Sequence, residues 1–280
     1  MTKKNDQEIT IGCDPELFAY KDGWPISVHD KLPGDKRNPA EVPNGAIQVD
    51  GVAAEFNILP ANNEEAFFYR VTSVKTYMER LLRLSYPNVR LVAIPTAKFE
   101  EGYFKALPFK ALELGCEPDF NAYTGKENDK PKTNLPIRTG SGHVHVGYYS
   151  EIDCNFMDTT SQGFKDSMKL VREFDATLLP ASKLWDTDEE RRQLYGSPGS
   201  FRPKPYGLEY RVLSNAWLNA EDSIRYVYRL THAVTKSFLA GNSVKAELDK
   251  MDKPNSLTGL FRNFELLSIP LPPESLCKGL

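Results

Sequence analysis

RTGSGHVHVGYY, residues 138–149, carries two of the chain's four histidines, His143 and His145, one residue apart. A β-strand sends successive side chains to opposite faces, so both imidazoles share one face and Val144, Val146 and Tyr148 share the other. The spacing predicts a strand with an apolar side for a core and a histidine side turned toward something else.

Three further stretches repeat this asymmetry. In ITIGCDPELFAY (9–20), Ile9, Ile11, Cys13, Pro15, Leu17 and Ala19 form one face, with Asp14 and Glu16 on the other. In VAAEFNIL (52–59), Val52, Ala54, Phe56 and Ile58 oppose Glu55 and Asn57. In YGLEYRVLSN (206–215), Leu208, Tyr210 and Val212 oppose Glu209 and Arg211. A sheet with its polar face in water is the plain account, and antiparallel sheets often show one. Against it, none of the four polar faces holds a lysine, and carboxylates and imidazoles collect there. Such groups repel one another at close range unless cations neutralise them, so a metal-binding face is the preferred reading. A donor set of mostly oxygen with some nitrogen suits Mg²⁺ or Mn²⁺ better than Zn²⁺, and so many acids can hold more than one ion. Ions held this way commonly bridge phosphate oxygens during phosphoryl transfer.

Basic residues follow close by. RRQLYGSPGSFRPKPYGLEYR places Arg191, Arg192, Arg202, Lys204 and Arg211 around a bend rich in glycine and proline. The planar guanidinium fork suits phosphate oxygens. Arg191 and Arg192 follow DTDEE and are expected to pair with it on a helix surface, whereas alternation sets Arg211 beside Glu209.

Around these strands the chain shows three clear helical patterns. NNEEAFFYRVTSVKTYMERLLRLS (62–85) repeats Phe67, Val71, Val74, Met78, Leu81 and Leu82 at spacings of three and four, with Asn62 and Glu65 in capping-box order. A second helix is expected over about 159–179, and a third begins at the acidic Glu221–Asp222 and stops at Gly241. Asp-Gly in KDGW (21–24) and VDGV (49–52) predicts two hairpin turns, which makes Asp50 a turn residue rather than a ligand. Residues 115–136 are expected as a long loop, with Cys116 or Asp119 facing a cleft or simply lying in the loop, and the proline-broken tail is expected to wrap the surface. His29 and His232 carry no assigned role.

The whole, 1–280, reads as one α+β domain on a mostly antiparallel sheet. A net charge of −3 offers no electrostatic case for nucleic acid, and no stretch approaches the ~20 apolar residues of a membrane span. Four scattered cysteines without a CxxC pair read as free thiols of a reducing cytoplasm. Oligomeric state is not legible.

The four strand motifs together resemble the carboxylate–amine ligase superfamily, which includes glutamine synthetase and glutamate–cysteine ligase. They come closest to its phage-encoded branch, the COOH–NH2 ligases of type 2. GCDPELF, VDGVAAEFNILP, GSGHVHVG and FRPKPYGLEYRVLSN carry the resemblance and span residues 11–215. It implies a curved antiparallel sheet with metal ligands on its concave face and helices behind, and ATP with Mg²⁺ or Mn²⁺ as cofactors. By motif, Asp14, Glu16, Glu55, His143 and Glu209 match metal ligands. Arg202 and Lys204 match nucleotide contacts. Arg211 meets the transferred phosphate, and His145 lies near substrate or phosphate. The larger enzymes carry two glutamates where this chain has Asp14 and Glu16 around Pro15.

What the resemblance implies is a ligase joining a small-molecule or peptide carboxylate to an amine through an acyl phosphate, in the host cytoplasm for a phage-encoded chain. A metal-dependent hydrolase built on His-x-His is a second reading, and a non-catalytic ligand-binding relative a third. Zinc without nucleotide favours the hydrolase, and magnesium with ATP the ligase.

Overall fold

The computed structural model describes residues 8–112, 119–129, 135–148 and 155–278. The strands are β1 (Thr10–Cys13), β2 (Glu16–Lys21), β3 (Trp24–Ile26), β4 (Ala40–Val42), β5 (Gly45–Asp50), β6 (Ala53–Ile58), β7 (Arg90–Val92), β8 (Thr96–Lys98), β9 (Phe120–Asn121), β10 (Ile137–Thr139), β11 (Val144–Gly147), β12 (Ser200–Lys204) and β13 (Gly207–Tyr210). The helices are α1 (Glu64–Ser85), α2 (Glu101–Lys105), α3 (Phe109–Leu112), α4 (Gln162–Ala181), α5 (Glu189–Leu194), α6 (Glu221–Leu239), α7 (Val244–Lys250) and α8 (Leu257–Leu266).

The class is α+β as expected, but the antiparallel strands form two larger sheets rather than the single one expected. One runs β1-β11-β13-β12-β9; the other runs β3-β2-β6-β5-β4, with β7 beside β2, and β8 and β10 form a separate ribbon. The long strand expected over 9–20 is divided at Asp14–Pro15. Proline has no N–H to give a ladder, and the chain changes partner there, from the histidine strand β11 to β6. The break is local: Asp14 N–H still donates to His143 O at 3.4 Å and Glu16 N–H to Ser141 O at 2.9 Å. Both sheets therefore meet along the segment that carries Asp14 and Glu16, and the acids keep one side. The stretch 138–149 is likewise divided between β10 and β11. Gly140 and Gly142 lie at that gap, where an added Cβ would fall 2.3 Å from Asn215 Nδ2 and 2.3 Å from Ser214 O. Glycine there lets the chain beyond β13 approach.

Helices α1, α4 and α6 pack on the opposite, apolar side of the sheets, where one core joins Ile11, Cys13, Leu17, Phe56, Val144, Val146, Leu208 and Tyr210 to Phe67, Phe174 and Val227. The α1 stripe is buried as its spacing predicts, but the cap is Asn63, whose side chain accepts from Ala66 N–H, and not Asn62. Glu65 instead binds Arg225 of α6. The third helix ends as expected, with Gly241 at φ +83° just past it. The short α2, α3, α5 and α7 have too few turns to show a period, whereas α8 buries Leu260, Phe261 and Phe264 on one face.

The first hairpin matches its signal: Lys21 pairs Trp24 across Asp22 and Gly23, both at positive φ. The second is shifted by one residue. Asp50 pairs Ala53, so Gly51 and Val52 make the turn and Asp50 ends a strand. Val52 thereby leaves the main core. It packs with Phe18, Phe99 and Phe104 in a small second cluster laid across one end of the acidic side by β8, α2 and α3. Cys13 and Cys277 are free thiols. Cys116, Cys154 and much of the expected 115–136 loop lie outside the described residues, and residues 119–129 of it form β9 and a turn. No described helix is long and apolar enough to cross a membrane.

Candidate functional site

Register aligns the first group of candidate side chains. Gly12, His145, Glu209 and Arg202 stand opposite one another across β1, β11, β13 and β12. Two residues along each chain, Asp14, His143 and Arg211 emerge on the same side. In the other sheet Glu16 faces Glu55 across β2 and β6, and Glu55 faces Gln48 across β6 and β5. Both sets line one cavity of about 600 Å³, to which Asp14, Glu16, Asp50, Glu55, Arg202, Lys204 and Arg211 all contribute.

The expected metal ligands separate into two groups. Asp14, His143 and Glu209 converge, each offering an atom within 4.8 Å of the others. His143 Nδ1 lies 3.3 Å from Asp14 Oδ1 and 3.2 Å from Glu209 Oε1. Glu16 and Glu55 belong to the second group, joined by Asp50. The Asp-Gly signal reads Asp50 as a turn residue; the one-residue shift of the hairpin instead brings it onto the face of Gln48 and Glu55. Glycine at the first position of a two-residue turn is the signal that predicts this register.

The two groups differ in charge balance. Burial alone would raise the Asp14 carboxyl, but His145 and His143 beside it hold it well below the ordinary carboxylate range. Burial acts the same way on Glu209, and Arg211 and His143 overcome it. Glu16, Asp50 and Glu55 are all raised, first by burial, and a neighbouring carboxylate adds to each shift. Their bonds do not cancel this: Gln48 donates to Glu55 Oε2 at 2.7 Å, and Ser141 N–H to Glu16 Oε2 at 3.0 Å.

A cation fits this donor set. Asp14 Oδ1 and His145 Nε2 lie 3.0 Å apart, yet outside hydrogen-bonding geometry, so both buried atoms lack a hydrogen-bond partner. Buried polar atoms are rarely left so. Hard oxygen donors with one imidazole nitrogen suit Mg²⁺ or Mn²⁺.

Glu209 sits deeper than its strand pattern suggests. Its side chain is fully buried and does not line the cavity. Lys204 Nζ lies 2.8 Å and Arg202 Nη1 3.3 Å from Oε2, and Arg211 binds Oε1. Arg211 is held further by Asp119, 3.3 Å from its Nε. Asp119 thus serves from the loop where it was a candidate cleft residue.

Arg191 overturns its expected role. It is not paired with DTDEE on a helix surface; it is fully buried and donates to Gly140 O at 3.2 Å, Val212 O at 2.9 Å and Leu213 O at 2.9 Å. Desolvation lowers its pKa to about 10. Arg192 does pair with Asp186 as expected, at 3.3 Å. Two tyrosines carried no sequence signal. Tyr206 Oη lies 2.5 Å from His145 Nδ1, and Tyr195 Oη touches both His143 and Arg211. His232 stacks on Tyr228 of α6 and His29 sits by Asp30, and neither lines the cavity.

Residues 137–253 match the family model described as phage phiEco32-like COOH.NH2 ligase-type 2. The resemblance drawn from the motifs holds over that segment. The name denotes a ligase of a carboxylate and an amine, and the matched residues include His143, His145, Arg202, Lys204, Glu209 and Arg211. Asp14, Glu16, Asp50 and Glu55 precede the matched segment and are tied to it through β1–β11 pairing and the Glu16–Ser141 bonds. A search of the curated proteins returned no match.

Proposed function

We propose that the chain is an ATP-dependent carboxylate–amine ligase that forms an amide through an acyl phosphate. The observation that carries this reading is one cavity lined by Asp14, Glu16, Asp50, Glu55, His143 and His145 together with Arg202, Lys204 and Arg211. Asp14, His143 and Glu209 would hold one Mg²⁺ or Mn²⁺, and Glu16, Asp50 and Glu55 a second. Bound there, the ions offset the repulsion between a carboxylate and a triphosphate.

Arg202 and Lys204 bind the polyphosphate. Arg211, oriented by Glu209, Asp119 and Tyr195, meets the γ-phosphoryl group as charge develops on it. A substrate carboxylate oxygen attacks the γ-phosphorus and ADP leaves. The amine then adds to the acyl carbon, phosphate departs with one former carboxylate oxygen, and the amine proton is lost. His145, held by Tyr206, faces this substrate end. The substrates are small-molecule or peptide carboxylates and amines.

The hydrolase reading loses ground, because the cavity's histidines are His143 and His145 alone among the described residues. The test is an ADP-release screen over pooled carboxylates and amines with Mg²⁺, followed by isotope tracing. Oxygen-18 from the substrate carboxylate must appear in released phosphate. Amide formed without label transfer refutes the acyl-phosphate route, and solvent oxygen in the phosphate marks hydrolysis instead.

A further inference from the structure

We infer that Tyr195 is the positioning residue that couples the histidine ligand to the phosphoryl-binding arginine, an inference that rests on the metal reading above. Tyr195 follows α5, a helix pinned from below by Arg191. The Arg191 guanidinium grips Gly140 O, on the chain leading to His143, and Val212 O and Leu213 O, just after Arg211. One turn on, Tyr195 N–H donates to Arg191 O at 2.8 Å, which sets the phenol between the same two segments. Its hydroxyl lies 3.4 Å from His143 Nε2 and accepts from Arg211 Nη2. The Arg211 guanidinium also lies over its ring, 5.7 Å from the centroid.

The direction of these bonds carries the argument. His143 turns Nδ1 to Asp14 and Glu209, so Nδ1 is the nitrogen offered to an ion held by those acids. A neutral imidazole that ligates through Nδ1 carries its proton on Nε2, and that proton needs an acceptor. Tyr195 Oη is placed to be it. Without an ion, the neutral ring points Nδ1–H at the acids and Nε2 accepts from the tyrosine hydroxyl. Arginine only donates, so Oη accepts from Arg211 in both states. A hydroxyl, with two lone pairs and one proton, satisfies both tautomers while keeping Arg211 in place. Phenylalanine preserves the ring and satisfies neither.

The test compares wild type and Tyr195→Phe by Mn²⁺ titration, read from the electron paramagnetic resonance signal of free Mn²⁺. The variant is expected to bind Mn²⁺ about 10–100-fold more weakly. In the Mg²⁺-loaded wild type, imidazole ¹⁵N spectra should show His143 protonated at Nε2, with that proton exchanging faster in the variant. Equal Mn²⁺ affinity in the two proteins overturns the inference and leaves the metal site standing. A wild type that binds no Mn²⁺ overturns the metal reading and this inference with it. Should the variant not fold, the wild-type spectrum still decides: an unprotonated Nε2 in the Mg²⁺-loaded protein refutes the role.

Discussion

Replacing Glu209 by glutamine keeps the volume of a fully buried side chain and removes its charge. The carboxylate stands against Lys204 at 2.8 Å, Arg202 at 3.3 Å, His143 Nδ1 at 3.2 Å, and Arg211. The amide can still accept from one side, but its NH₂ must face donors on the other. Removing one partner of a buried ion pair typically costs about 3–5 kcal/mol, because the remaining charges lose their compensation. At ~2.1 cal/mol/K per residue, a chain of 280 residues has an unfolding entropy of ~0.6 kcal/mol/K, so the melting temperature should fall by about 5–9 °C. The assay is thermal and urea denaturation of wild type and Glu209→Gln in chelator-treated buffer, repeated with inorganic tripolyphosphate. The added anion should restore part of the loss, because it supplies negative charge to Arg202, Lys204 and Arg211. A loss below about 1 kcal/mol, the range of solvent-screened pairs, refutes the reasoning. So would tripolyphosphate that stabilises wild type and variant alike.

Three other outcomes follow from the geometry. Burial raises Asp175 to about 6 from the ordinary 3.8, although Tyr210 donates to it at 2.8 Å. The folded state therefore binds this proton more tightly; its contribution is fully present below about pH 4 and lost as pH rises through about 6, by roughly 3 kcal/mol in all. Asp175→Asn should flatten that part of the stability–pH curve and be the more stable protein at pH values above it; an unchanged curve in urea titrations counts against the assignment. Gly142→Ala places a Cβ 2.3 Å from Ser214 O and 2.4 Å from Trp217 Nε1, so it should destabilise the fold and reduce metal binding, whereas a native melting temperature would show that the two chains are not in such close approach. In a ligase assay, Arg211→Ala should lower turnover by about 10²–10³ while changing ATP affinity much less, and a loss confined to affinity would remove its transition-state role.

Much of the site was legible because a strand has a short, strict period. Alternation alone set Asp14, Glu16, Glu55, His143, Glu209 and Arg211 against apolar faces, and the hydrophobic contacts that enforce those faces are found in the folded core. Helix periods, the first hairpin and the glycine stop after the third helix were legible for the same reason: each is encoded by residues a few positions apart. The division of the acids into two groups was not, since it depends on which strands pair with β1 and which with β2 after Pro15. Asp50 entered the site by a one-residue choice of turn, a small energetic difference that neighbouring strands decide. Arg191, Tyr195 and Tyr206 have no periodic signal at all. Their roles come from contacts distant in the chain: Gly140 and His143 in the gap between β10 and β11, His145 on β11, and Arg211, Val212 and Leu213 just after β13. The sequence by itself determined which side chains face away from the core, because that follows from local geometry. Only the tertiary structure decided which of them meet, because that depends on long-range pairing and on the burial that makes unpaired charge costly.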